Sequence, residues 1–241
     1  IATVLGKYKP SEKTLVDFEI GISNNDLNLF SSLDDNDNQG IAGKIYAKQR
    51  LLSKKWEIDA FADFQFVQKE FKTIERLFTI EFDRDWNLTN PLGNQSLLIT
   101  GANFNLAGKG SAKYQLEKLD FSESFSGTRH VVDGLFRFKN VMVQNSGSIL
   151  KSDSDYSEST FIRNQTQARY HFKKNWVGGS FRLEDNEERL KEMNQFSALS
   201  QKFHEFGAFV GRGDSTKVYV ELGYLQRSND SLVNGFIQKV N

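Results

Sequence analysis

The stretch WEIDAFADFQFVQ, residues 56–68, separates by alternate positions into two sets. Trp56, Ile58, Ala60, Ala62, Phe64 and Phe66 are uncharged and mostly apolar, whereas Glu57, Asp59, Asp63 and Gln65 are polar, with Phe61 and Val67 among them. A period of two belongs to a β-strand with one apolar and one charged face. The preceding residues mirror it: Ile41, Gly43, Ile45 and Ala47 alternate with Lys44, Tyr46, Lys48 and Arg50. The two runs read as a hairpin. With 52–55 as a four-residue loop, Arg50 falls opposite Glu57, Lys48 opposite Asp59, Tyr46 opposite Phe61 and Lys44 opposite Asp63. Opposed charges favour that register over its neighbours. The same rule places Phe172 opposite Val177 and Phe209 opposite Tyr219 in later hairpins.

The pattern recurs along the chain. Val16, Phe18, Ile20 and Ile22 alternate with Asp17 and Glu19; Phe78, Ile80 and Phe82 with Glu81 and Asp83; Val132, Phe136 and Phe138 with Asp133, Arg137 and Lys139. Thr166, Ala168, Tyr170 and Phe172 alternate with Arg163, Gln167, Arg169 and Lys173, and Val218, Val220, Leu222 and Tyr224 with Lys217 and Glu221. Only EDNEERLKEMNQF, 184–196, hints at a helix. The expectation is an all-β, antiparallel up-and-down meander of roughly 12–14 long strands in a single domain spanning 1–241.

Composition narrows the classes. With 31 basic and 31 acidic residues the net charge is zero, which argues against a nucleic-acid partner. Absence of cysteine removes disulfide and thiolate chemistry. No apolar run is long enough for a spanning helix, but a mean hydropathy of −0.52 is compatible with a spanning barrel, half of whose strand residues are polar. Twenty-one Phe against two Pro suit long regular strands.

Connections carry a second signal. Tight ones are expected at 52–55, 83–85, 107–110, 144–147, 173–176 and 211–216, and long polar ones at 24–40, 68–75, 90–95, 121–130, 152–160 and 183–200. With short strands near 86–90 and 148–156, tight and long alternate. One end of the sheet is therefore trimmed and the other elaborated, as in transmembrane barrels. Trp56, Trp86 and Trp176 each fall beside a tight turn, where an interfacial aromatic girdle would lie.

Charged alternating strands, Asn/Asp-rich loops and turns such as SKKW (53–56) and KKNW (173–176) resemble large outer-membrane β-barrels of Bacteroidota-type bacteria. The resemblance implies a porin-like channel, transporter or envelope anchor in a Gram-negative outer membrane. Its partners would be the lipid bilayer and other envelope proteins. Such barrels finish on a terminal aromatic residue; this chain ends FIQKVN, and is expected to be a fragment of a longer one. A lumen would be lined by Asp17, Glu19, Lys44, Lys48, Arg50, Glu57, Asp59, Asp63, Arg137, Lys139, Arg163 and Arg169, a mixed-sign set that would not strongly select anions or cations. The alternative is a soluble or surface-attached β-sheet binding module, secreted or at the cell surface, acting through its long polar loops.

Other motifs are weaker. Asp35, Asp37 and Gln39 have the alternate-oxygen spacing of a calcium loop, with Gly40 as the turn, but Tyr46 stands where the closing Glu belongs. A solvated Asn/Asp-rich loop is the stronger reading. GRGDS, 211–215, contains an adhesion triplet and also fits a hairpin turn. His130, His171 and His204 are scattered, and Ser200 with His204 is too widely spaced along a strand for a dyad. No catalytic group and no cofactor is expected, and the chain is read as not an enzyme.

Overall fold

A computed structural model of the chain describes residues 1–26, 38–74, 77–213, 218–231 and 238–240. Its strands are β1 (Ala2–Ser11), β2 (Thr14–Asn24), β3 (Gln39–Ser53), β4 (Trp56–Val67), β5 (Gln95–Leu106), β6 (Gly110–Phe121), β7 (Phe125–Phe138), β8 (Val141–Ser154), β9 (Ser157–Phe172), β10 (Asn175–Leu190), β11 (Gln195–Phe196), β12 (Gln201–Gly213), β13 (Tyr219–Ser231) and β14 (Gln238–Val240), with one short helix, α1 (Phe82–Trp86). All fourteen strands join one sheet in sequence order, except that the two-residue β11 sits off the path beside β10. Every pairing is antiparallel, as the alternation predicts. Among the described residues β1 and β14 each have one neighbour, so the sheet here is an open meander.

Short turns lie at one rim: Glu12-Lys13, Lys54-Lys55, Ala107–Lys109, Lys139-Asn140 and Lys173-Lys174. The strand ends that flank 25–38, 68–94 and 191–200 lie at the other, with two tight turns, 122–124 and 155–156. The expected division of rims holds only in part: two of the connections expected to be long are tight turns, the tight connection expected at 83–85 falls within α1, and the β7–β8 turn lies at 139–140 rather than 144–147. Residues 144–147 are inside β8, and 121–130 and 152–160 are mostly strand. No strand forms at 86–90, and residues 184–190 continue β10 rather than forming a helix.

The strand expected at 78–83 is also replaced, by an approach to α1. Phe78, Phe82 and Trp86 recur at four-residue steps, which stacks their rings on one side of a helical turn. Phe78 and Phe82 stack at 4.1 Å between centroids, and Phe82 lies 6.4 Å from Trp86. Asn87 ends the helix in the left-handed conformation (φ 52°), a role its side chain tolerates.

Register at the opening hairpin differs from expectation by two residues. Arg50 opposes Asp59, Lys48 opposes Phe61 and Tyr46 opposes Asp63, because Leu51 is bulged out and the chain reverses at Lys54-Lys55. Turn length sets hairpin register, and the turn is shorter than the four residues assumed. Charge matching survives diagonally: Lys48 Nζ reaches Asp59 at 2.9 Å and Lys44 Nζ reaches Asp63 at 3.2 Å. The later hairpins are corrected likewise: Phe172 opposes Asn175 and Phe209 opposes Gly223.

Pairing propagates one apolar face across the sheet. It holds Phe18 and Ile20 on β2, Ile45 on β3, Ala60 and Phe64 on β4, Leu98 on β5, Leu116 on β6, Val132 on β7, Ile149 on β8, Val177 on β10, Phe206 on β12 and Leu222 on β13. This face is exposed: Ile20 is 49% accessible, Val132 46% and Leu222 70%. The opposite face carries the charges and contains the buried residues, among them Glu117 at 4% and Glu184 at 3%. That polarity is inverted relative to a soluble sheet, which turns its apolar face to a core.

From β2 to β5 the apolar face carries no charged residue between Thr14 and Leu106. On β6, β8, β10, β12 and β13, counting from the turn rim, charges begin at Lys118, Lys151, Asp185, Lys202 and Asp230. Arg212 is the one charge on that face beside the short turns, among the described residues. Of the three tryptophans only Trp56 faces outward at this rim, at 44% exposure. Trp86 and Trp176 are buried on the polar side, which corrects the three-tryptophan girdle. Phe136, Phe138, Tyr170 and Phe172 occupy the rim positions instead.

Candidate functional site

The described residues of the 68–94 segment, 68–74 and 77–94 between β4 and β5, fold over the polar face. At its start, the Lys72 amide donates to Ser23 Oγ at 3.0 Å. At its end, the Leu92 amide donates to Ser124 Oγ at 2.7 Å and the Asn94 amide to Ser122 Oγ at 2.9 Å. Between these anchors α1 drives Trp86, 1% exposed, into a cluster with Leu97, Leu119, Phe125, Leu150 and Phe161, one residue from each of five strands. Gly127 opposite the indole leaves the room: a Cβ there would stand 3.1 Å from the ring.

The same helix supplies charges to a polar cavity of about 380 Å³. Asp85 accepts from Arg163 Nη1 at 2.7 Å and pairs with Arg129 Nη1 at 3.4 Å. Glu117 holds Arg129 at 2.7 Å and accepts from Gln115 at 2.5 Å. Glu184 bridges Arg182 at 2.7 Å and Arg84 at 3.1 Å. Asn87 Nδ2 donates to Asn186 Oδ1 at 2.7 Å and to Ser159 Oγ at 3.1 Å. The hydrogen bond to Glu81, joined by attraction to Glu184, raises the pKa of the Arg84 guanidinium. In this network the buried carboxylates Glu117 and Glu184 each have a guanidinium partner, which ionised groups away from bulk water require, while the buried Glu188 accepts from the Ser157 and Ser197 hydroxyls.

Eleven of the twelve residues expected to share a face do so: Asp17, Glu19, Lys44, Lys48, Arg50, Glu57, Asp59, Asp63, Arg137, Arg163 and Arg169. Lys139 is instead a turn residue, with φ 52°. The set divides in space. Asp17, Glu19, Lys44 and Asp63 line a broad concavity on β1–β4, while Arg163 belongs to the Asp85 network. Arg169 lies beside Glu221 at 3.4 Å, near the Trp176 ring. Arg84, Asp85, Glu117, Arg129, Arg182 and Glu184 were not anticipated. Arg129 and Glu117 share their strands' polar phase, a signal that alternation provides; Arg84 and Asp85 had none, since they belong to a connection.

On β3–β4, Asp59 accepts from Arg50 Nε at 2.7 Å and Nη2 at 3.1 Å, in addition to Lys48. An Asp59→Ala substitution is expected to cost about 1–2 kcal/mol, because the two cations are a third exposed and regain water. Denaturant unfolding of the purified variant measures it; no loss would show that the pairs contribute nothing to the hairpin.

Gln39 is the first residue of β3, and its calcium companions Asp35 and Asp37 lie outside the described residues, as does Asp214 of the GRGDS run. No group of three or more metal-ligating side chains occurs among the described residues. His130 is hydrogen-bonded to the Tyr114 hydroxyl at 2.9 Å, and Ser200 Oγ donates to the Glu188 carbonyl at 2.8 Å. No protein-family model and no curated protein matches the chain.

Proposed function

We propose that the chain forms an outer-membrane β-barrel, or a large part of one, acting as a channel, transporter or envelope anchor whose interior is partly filled by the 68–94 segment. The supporting observation is the inverted polarity: an exposed, charge-poor apolar face backed by a buried, charge-lined one. The apolar band fits a bilayer in height. About nine residues of strand at ~3.3 Å each, tilted by ~40°, span roughly 23 Å, close to the ~25 Å apolar belt of such barrels. The polar residues from Asp17 to Arg169 would then line the interior, and Arg84 and Asp85 would narrow it. No reaction chemistry and no cofactor enters this reading. An unpaired strand edge is not tolerated in hydrocarbon. The reading therefore requires the edges of β1 and β14 to pair with one another or with further strands.

The test is the solvent in which the chain folds. Expressed and refolded, it should give a monodisperse folded species only with detergent or lipid, with a folded band that shifts on heating in gels. A folded monomer in plain buffer would sink the proposal and favour the surface-attached binding module.

A further inference from the structure

We propose that the short-turn rim docks onto the phosphate headgroups of anionic phospholipids in the leaflet beside it, an inference that rests on the membrane reading above. The five described turns at this rim contain Lys13, Lys54, Lys55, Lys109, Lys139, Lys173 and Lys174, all exposed, with Glu12 as their only acid. None of the seven makes an ion pair among the described residues. At the opposite rim three cations are compensated, Lys69 by Glu123, Lys118 by Asp120 and Lys191 by Asp153, while Lys72 and Lys151 make no ion pair among the described residues. A chain of zero net charge thus concentrates unneutralised cations at one end.

The turns are fixed in place. Carbonyls of Lys13, Lys109, Asn140 and Lys174 accept backbone hydrogen bonds from Arg50, Arg137, His171 and Gly213 of the neighbouring strands, at 2.7–2.9 Å. Successive turns are two strands apart, about 10 Å, so the lysines form a row along the rim rather than one patch. A row continuous with the aromatic margin of the apolar face matches a headgroup layer, which surrounds the molecule, better than a single acidic protein, which would meet one patch. Juxtamembrane lysines attract anionic lipid within a Debye length of the surface.

Trp56 reports on this location, since it is exposed on the apolar face beside Lys54-Lys55 and shares a small apolar recess with Lys109. The full chain is reconstituted in mixed phosphatidylcholine and phosphatidylglycerol bilayers, with one or the other lipid brominated, and tryptophan quenching is measured. Brominated phosphatidylglycerol should quench Trp56 with about two- to fivefold preference at low salt. The preference should vanish at ~0.5 M salt and in the K54Q/K55Q/K109Q variant, and persist when the same lysines become arginine. Equal quenching by both lipids at low salt overturns the proposal, as does a preference that survives the glutamine variant. Absence of quenching by either lipid overturns the membrane reading itself.

Discussion

Trp86→Ala is expected to release the 68–94 segment while leaving the sheet paired. The indole is the one buried side chain the segment brings to the cluster, with Phe78, Phe82 and Leu88 packed against it at partial exposure, so its truncation removes about 3–5 kcal/mol of packing. It also removes the face against which Arg129 stacks at 4.8 Å. Arg84 is 53% exposed, so its pair with Glu184 holds the segment only weakly, whereas Asp85, 28% exposed between Arg129 and Arg163, keeps a partly buried tie of its own. Amide exchange resolves the outcome. Protection of the Asp85 and Leu88 amides, bonded to Glu81 and Asp83 carbonyls, should fall at least about a hundredfold, while β4 and β5 amides keep theirs. Trp86→Phe should recover much of the difference. Unchanged protection in the alanine variant would mean that the ion pairs, not the aromatic cluster, hold the segment.

Ala60→Arg should be the most damaging single change on the apolar face. Ala60 sits two steps from Trp56 along that face, directly between Gln49 of β3 and Ala102 of β5, well inside the charge-free band. In a bilayer a guanidinium there costs about 2–4 kcal/mol, against ~0–1 kcal/mol at Val141, the first residue of β8 beside the turns. On a water-exposed sheet both substitutions would fall within about 0.5 kcal/mol of neutral. Folding yields of Ala60→Arg and Val141→Arg in lipid, compared by urea titration, separate the cases. Equal yields would remove the depth dependence on which the membrane reading relies.

Strand existence and face were legible because alternation is a local property. Asp59 and Ala60 declare their sides without knowledge of any neighbour. Register was less so. Bulging of Leu51 and reversal at Lys54-Lys55 are decided by backbone geometry, and the charges proved indifferent because a lysine reaches Asp59 diagonally as well as directly. The inward segment was missed for a different reason. Phe78, Ile80 and Phe82 satisfy a period of two, and the competing four-residue series becomes visible only when Trp86 is included. A further signal was present but unread. Towards the loop rim the phase of the strands inverts: Leu97, Leu119, Phe125, Leu150 and Phe161 are apolar on the otherwise polar face, while Ser96, Asp120, Ser126, Asp153 and Glu158 are polar on the other. Five strands changing sides together mark a dry layer beneath a covering segment.

The covering segment runs between two consecutive strands, both hydrogen-bonded along their full lengths. It is a leash fixed at each end, so it cannot be lost by dilution, only swung aside. Its local concentration above the sheet stays in the millimolar range or higher whatever the protein concentration. Contacts too weak to retain a separate stopper therefore suffice to keep this one seated, and a visitor to the cavity competes against an occupant that always returns.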